Sequence, residues 1–284
     1  MRSRFNFALS KNSNLLSHPA TILSYKPDLP IGHTFIELGS VDSTNNYATA
    51  RVHEGLASHG TVFFAYDQFA GKGQRGKTWN SRPGDNIIMS LVLKPALEAG
   101  AGLTLAQPFP LSTCVALACH DFFSRYALPD ETFIKWPNDL YWRDRKAGGI
   151  LIENSCRGTE WLFAIVGIGI NINQVKFPGS VRNPVSLKQI TGLDFDAAEL
   201  ARELTGALDN RYNQLLAGKA GRLVEDPLLD EYNTRLYKRD QAVRLKKDNA
   251  VFETTVQGVS AQGELLTRDI LERRFVFGEV EWIM

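Results

Sequence analysis

The chain has 284 residues, with 32 Lys and Arg against 31 Asp and Glu and 44% hydrophobic residues. These are the proportions of a globular protein able to bury a sizeable core, and a length that favours one large domain plus a small one. The near-zero net charge excludes a broadly basic nucleic-acid binder, so any anion site must be local.

Residues 1–27 contain no Asp or Glu and several Ser and Arg. They read as an N-terminal extension with a faint likeness to a transit peptide and without the apolar core of a secretory signal. No helix-turn-helix pattern precedes residue 34. Residues 33–41 read as a strand, and Asp42-Ser43-Thr44-Asn45 supplies capping chemistry for a helix to about residue 53. Strands are expected at 61–67 and 86–93, flanking a loop that runs from Gly71 to Trp79. The spacing of Leu111, Cys114, Val115, Ala118 and Phe122 predicts a core-facing helix over about 110–126. Strands near 132–136, 147–155 and 161–172 follow, then helices over 197–217 and 225–237. Beyond residue 238 the texture changes to short β segments separated by turn signals at Asn249, Gly258, Gly263 and Gly278, which suggests a small five-stranded barrel. Sheet and helix alternate without a regular βαβ repeat, so a mixed sheet with packed helices is expected. The expected units are an extension at 1–32, a main domain at 33–238 and a small domain at 239–284.

Cys114, Cys119 and Cys156 are odd in number and lack CxxC spacing, which argues against a disulfide framework or a structural zinc and favours the cytoplasm. No apolar run is long enough to predict a membrane span.

The octapeptide Gly71-Lys72-Gly73-Gln74-Arg75-Gly76-Lys77-Thr78 fits both the G-x-G-x-x-G fingerprint and the P-loop pattern. Both need a helix directly after the glycines, and Trp79 to Asn86 is instead a run of turn formers. A basic glycine loop between strands can still bind phosphate through N–H groups and cations. Lys77 is then no P-loop lysine and Thr78 no magnesium ligand. In Lys135-Trp136-Pro137-Asn138-Asp139, the proline places Asn138 and Asp139 at a strand break, as a hairpin corner or as ligand contacts. In Gly167-Ile168-Gly169-Ile170-Asn171, alternation puts Gly167, Gly169 and Asn171 on one face and the isoleucines on the core face. Bare backbone on that face suits close approach of a ligand or of a packed helix, and Gly149 widens it from the neighbouring strand.

Taken in order, Asp42 to Asn45, Gln68 with the loop to Trp79, Lys135 to Asp139, Arg145-Lys146 with Gly149-Ile150, and Gly167 to Asn171 resemble the biotin protein ligase family. The ending Phe277-Gly278-Glu279-Val280 is similar to that of the family's C-terminal SH3-like domain. The resemblance runs from about residue 33 to the C-terminus. It implies an α+β, class II synthetase-like fold and a form without the N-terminal DNA-binding domain. It also implies two half-reactions, in which biotin and MgATP give biotinyl adenylate and pyrophosphate, and a lysine of a biotin carboxyl carrier domain then takes the biotinyl group. That carrier belongs to acetyl-CoA carboxylase or another biotin-dependent carboxylase, and no nucleic acid or membrane is implied. Members often form homodimers.

By the same resemblance Lys146 is the principal catalytic residue, holding the biotin carboxylate and the α-phosphate. Arg75 supplies further charge, and Asp139 faces the incoming lysine. Ser43, Thr44, Asn45, Gln68, Gly71 and Lys72 would bind the ureido end of biotin, and Gly149 and Gly167 would floor its pocket. Lys72, Gln74, Arg75, Trp79, Asn138 and Asn171 would serve ATP and the adenylate. The family loop commonly reads G-R-G-R-x-G, so Lys72 and Gln74 depart from it, and Gln74 removes a cation. The rival readings are a lipoate or octanoate protein ligase, a P-loop ATPase or kinase, and a biotin-sensing repressor.

Overall fold

The computed structural model describes residues 29–95, 103–179, 182–220 and 226–283. The extension expected at 1–32, with its transit-peptide and helix-turn-helix readings, falls almost wholly outside the described residues.

Seven strands form the main sheet in the order β1-β2-β3-β7-β6-β5-β4, and only β1 and β2 run parallel. They are β1 (Thr34–Val41), β2 (Thr61–Gln68), β3 (Asn86–Leu93), β4 (Thr132–Lys135), β5 (Asp139–Trp142), β6 (Arg145–Arg157) and β7 (Glu160–Asn171). The two sheet faces are covered differently. On one, Val62, Phe64, Met89, Leu91, Val166 and Ile168 pack against α2 (Phe109–Ser124) and α4 (Ala197–Ala220). On the other, α1 (Thr44–His53) sets Ala48 among Phe63, Val92 and Ile165. Helix α1 packs on β2, β3 and β7, with Phe163 and Ile165 of β7 in the same cluster, and its N-terminal end reaches Gly167 of β7 and Glu153 of β6.

Helix α2 is buried on almost every side, as its apolar composition requires. It is held to α4 and to α5 (Pro227–Thr234) by Arg211, which donates to Asp121 and Glu231 at 2.6–2.9 Å. A short helix, α3 (Leu187–Thr191), starts at Ser186 with a reciprocal capping box to Gln189. The sequence reading missed it.

The C-terminal sheet is antiparallel in the order β11-β10-β9-β8-β12, with β8 (Ala242–Lys247), β9 (Ala250–Val259), β10 (Leu265–Arg268), β11 (Glu272–Phe275) and β12 (Glu281–Ile283). Its apolar residues Leu245, Val256, Leu265 and Phe275 belong to the same core cluster as the main sheet. Trp136 Nε1 donates to Gly263 O at 2.9 Å, and Asn233 exchanges two hydrogen bonds with the Val259 backbone. Gly263, at φ +86°, also lies where a Cβ would strike the Phe109 ring.

The hairpin-corner reading of Trp136 to Asp139 matches the structure, since β4 pairs with β5 from Thr132↔Trp142 to Lys135↔Asp139. One expectation changes. Ser43 is the N-cap residue of α1 in extended conformation, yet its hydroxyl makes no capping bond. The capping explanation for that motif therefore fails, and Asn46 instead donates to Asp42 at 2.5 Å.

Candidate active site

The site is built on the face of β6 and β7 where the N-terminal end of α1 meets Gly167 and Trp79 lies over Gly149 and Gly169. At one end, α1 brings Ser43, Thr44 and Asn45 against Gln68 at the end of β2 and Ser90 in β3, all less than a tenth exposed. Gln68 Oε1 accepts from the Thr44 backbone N–H at 2.8 Å and from its hydroxyl at 3.3 Å. Ser90 Oγ is 2.8 Å from Thr44 Oγ1 and donates to Asn45 Oδ1 at 2.5 Å. Asn45 Nδ2 donates to Glu153 at 2.7 Å, and Lys72 Nζ lies 3.7 Å from the other oxygen of that carboxylate. This is a buried set of donors and acceptors fixed by one another, suited to a small neutral group with both capacities.

The glycines are explained by close approach. A Cβ at Gly167 would collide with the Asn45 amide, and one at Gly169 with the Trp79 indole. At Gly149 a Cβ would sit 3.5 Å from Trp79, Asp139 and Lys146 at once. The expected alternation holds, since Gly167 and Gly169 face the site while Ile168 and Ile170 enter the core. The Asn45 amide lies against Gly167, and the Trp79 indole lies over Gly149 and Gly169.

Lys146 Nζ donates to Asp139 Oδ1 at 2.6 Å. Lys146 comes from β6 and Asp139 from β5, where Asp139 pairs with Gly149. The pair is about a quarter exposed, with side-chain exposures of 28% and 21%, so it is partly desolvated and its charges act over a short range. A cation and a carboxylate beside a glycine floor suit a reaction that joins two anions and later moves a proton.

The loop from Gly71 to Trp79 closes on itself. Trp79 N donates to Gly71 O at 2.9 Å and Gly73 N to Lys77 O at 2.7 Å. Within it, Gln74–Gly76 is a 3-10 turn with Arg75 at φ 57°. No α-helix follows Thr78, so the P-loop geometry is absent. The inner side of the loop and Leu151 and Glu153 of β6 bound one cleft. Gln74 and Arg75 also line a second cleft, of about 400 Å³, between β6 and the C-terminal residues Gln262 to Glu264, Val276 and Phe277. The Arg75 guanidinium sits beside Gly278. Neither cleft is lined by Lys146 or Asp139.

The amide N–H groups of Asn138 and Asn171 are engaged with the backbone. Asn138 donates to Ile150 O at 2.5 Å, and Asn171 donates to Val185 O at 3.0 Å and to Lys146 O at 3.4 Å. Asn171 thereby fixes the backbone that carries Lys146. Sequence reasoning missed Ser90, Glu153 and Lys135. Ser90 carried a usable signal, being one hydroxyl in the otherwise apolar run Ile87 to Leu93.

A mixed sheet with a helix N-terminus and a glycine floor on one face, and a lysine–aspartate pair beside them, defines an α+β ligand-activating domain. The sequence pattern of the biotin/lipoate A/B protein ligase family matches residues 38–171, a span that holds all the candidate residues. The chain is 30% identical to the bifunctional ligase/repressor BirA of Escherichia coli (strain K12), over 88% of this chain and 74% of that protein. It is 31% identical to the biotin–[acetyl-CoA-carboxylase] ligase of Paracoccus denitrificans, over 84% and 96%. The solved structure of the biotin protein ligase from Aquifex aeolicus in complex with biotin and ATP superposes with a TM-score of 0.69 at 25% identity, covering 88% of this chain and 99% of that one. The chain belongs to the biotin/lipoate A/B protein ligase family.

Proposed function

We propose that this chain is an ATP-dependent biotin–protein ligase that makes biotinyl adenylate and transfers its acyl group to a lysine of a carrier domain. One observation carries the reading: a buried polar set and a lysine–aspartate pair lie at opposite ends of one glycine-floored face. The polar set of Ser43, Thr44, Asn45, Gln68 and Ser90 suits a ureido ring, which has two donors and one acceptor. Lys146 is placed to draw the biotin carboxylate and the α-phosphate together, offsetting their repulsion as the acyl–phosphate bond forms and pyrophosphate leaves. Asp139 is placed to orient the carrier lysine and accept its proton. Trp79, over Gly149 and Gly169, supplies an aromatic face for the adenylate. Lys72, Lys77 and Arg75 on the loop are the remaining cations, and they support retained activity despite Gln74.

Mg2+ enters with ATP in this proposal. Among the described residues no group of three His, Cys, Asp or Glu could hold a metal, which fits an ion carried largely by the nucleotide phosphates. The acceptor is the carrier domain of a biotin-dependent carboxylase such as acetyl-CoA carboxylase. Residues 239–284 form an SH3-like unit that walls the site from the side of β4 and β6. The free cysteines Cys114, Cys119 and Cys156 support a cytoplasmic setting, and no described helix is long and apolar enough to cross a membrane.

The test is ATP–pyrophosphate exchange with biotin or lipoate, followed by streptavidin detection of a carrier domain. Biotin-dependent exchange is expected, and Lys146→Ala should lower it at least about a hundredfold. Exchange with lipoate alone would move the chain to the other branch of the family. Undiminished signal in Lys146→Ala would refute the role given to that lysine.

A further inference from the structure

Lys135 lies on β4 directly across from Asp139 in the hairpin, and Asp139 in turn lies across from Gly149. Lys135 therefore stands on the face of the sheet that carries the site. It is only 8% exposed. Its Nζ donates to the Tyr141 hydroxyl at 3.3 Å and lies 4.9 Å from the Tyr141 ring centroid and 5.2 Å from that of Trp282. Trp282 belongs to β12, so the C-terminal sheet supplies one wall of this enclosure.

A buried ammonium is costly unless a carboxylate answers it. Among the described residues none forms an ion pair with Lys135, and the acid across from it in the hairpin, Asp139, is already bonded to Lys146. The charged groups acting on Lys135 are Asp139 from β5, Lys146 from β6, Lys77 from the glycine loop and Arg182, with Tyr141 as its phenol partner. One acid thus stands among four cations.

We infer that Lys135 is a positioning residue for the transfer step, a fixed cation across the hairpin that keeps the Asp139 carboxylate oriented when Lys146 turns toward the acyl adenylate. The inference rests on the ligase reading above. Lys146 has three N–H donors, one of which holds Asp139 at 2.6 Å, and in the acyl-adenylate state it must share them with the ligand's anions. As Lys146 turns toward those anions, its hold on Asp139 weakens in a partly desolvated site. With Lys135 fixed by two rings across the hairpin, the carboxylate stays oriented toward the floor at Gly149. In the step itself the neutral amine of the carrier lysine attacks the acyl carbon and the C–N bond forms. The bond from that carbon to the phosphate oxygen breaks, AMP leaves with the electron pair, and one N–H proton passes to a carboxylate oxygen of Asp139.

Burial pushes the Lys135 ammonium down to about 8; Asp139 opposes the shift, and Lys146, Lys77 and Arg182 add to it. Its charge is therefore lost within reach of an assay, whereas an arginine there would keep its charge throughout. The experiment follows single-turnover transfer from purified biotinyl adenylate to a carrier domain, for wild type, Lys135→Arg and Lys135→Met, between about pH 6.5 and 9.5. Taking rate ratios to wild type cancels the titration of the acceptor amine. Lys135→Met should be about tenfold slower than wild type near neutral pH, and should lose more in transfer than in biotin-dependent pyrophosphate exchange. The ratio of Lys135→Arg to wild type should rise by about threefold or more as pH passes through about 8. A ratio that stays flat with pH, or a methionine variant that transfers at the wild-type rate, would overturn the inference. If the methionine variant does not fold, the arginine ratio still decides. Failure of the ligase reading looks different, since wild type itself would then show neither transfer nor exchange.

Discussion

At the residue scale, the glycines and the pair they serve were legible in the sequence to different degrees. Alternation along Gly167 to Asn171 requires that the glycines share a face, and the structure shows two different users of that bareness, Asn45 at Gly167 and Trp79 at Gly169. Periodicity gives the face of a residue and nothing about what approaches it from elsewhere in the chain. For the same reason the 2.6 Å contact of Lys146 with Asp139 and the enclosure of Lys135 were not readable, because each depends on how a hairpin folds back. Trp79 is where this bears on function. Adding one methyl at Gly169 would put a Cβ into the indole, and the floor is β-sheet backbone that cannot recede. Gly169→Ala should therefore displace Trp79, shifting tryptophan emission to longer wavelength and lowering adenylate formation by about tenfold or more. Unchanged emission with full exchange activity would show that the ring does not depend on the bare floor.

Among the elements, the long ones followed from pattern, and of the short ones β4 did while β5 and α3 did not. Strand β3 is an apolar run buried along its whole length, and the α2 stripe matches its core contacts. By contrast β5 has four residues and begins at Asp139, too short for alternation to register. The turn leading into β2 illustrates a further long-range effect. His59 packs its ring 5.6 Å from Tyr212 of α4, and its Nδ1 accepts a hydrogen bond from the Lys94 backbone N–H at 3.2 Å. Burial, with His33 and Lys94 adding and Asp209 opposing, lowers its pKa to about 4. Protonation would also destroy the acceptor that the Lys94 N–H uses. The unfolded chain binds this proton near pH 6.5 and the folded chain only near pH 4, so the contribution of His59 is complete above about 6.5 and is lost as pH falls through that window. The loss should be on the order of 2 kcal/mol. Urea midpoints measured across that window should fall more steeply for wild type than for His59→Gln, which keeps an acceptor but does not titrate. Equal slopes would mean that the histidine is solvated in the folded state.

Over the whole molecule, the sequence distinguished two textures, and the break near residue 238 coincides with the start of the second sheet. The texture suggested a small barrel attached to the main domain, and the packing ties the two sheets together. One core cluster runs from Phe64 and Leu117 through Tyr232 to Leu245, Val256 and Phe275. The polar links have the same effect: Trp136 to Gly263, Asn233 to the Val259 backbone, and Lys135 between Tyr141 and Trp282. An interface that shares the core and satisfies buried polar groups cannot open without exposing apolar surface on both sides. Such coupling predicts one cooperative transition rather than two. Urea unfolding followed by far-ultraviolet circular dichroism and by tryptophan fluorescence should give coincident curves, since Trp136, Trp161 and Trp282 report on both sheets. The same reasoning gives a functional expectation for Gly263→Val. At φ +86°, with the Phe109 ring where a Cβ would go, the substitution is both strained and sterically blocked. It should lower the single midpoint and also slow biotinyl transfer, because the Lys135 enclosure loses its second wall when the C-terminal sheet shifts. Separate transitions, with the lower one tracking the C-terminal sheet and leaving transfer intact, would instead make that sheet an independent unit with no part in the chemistry.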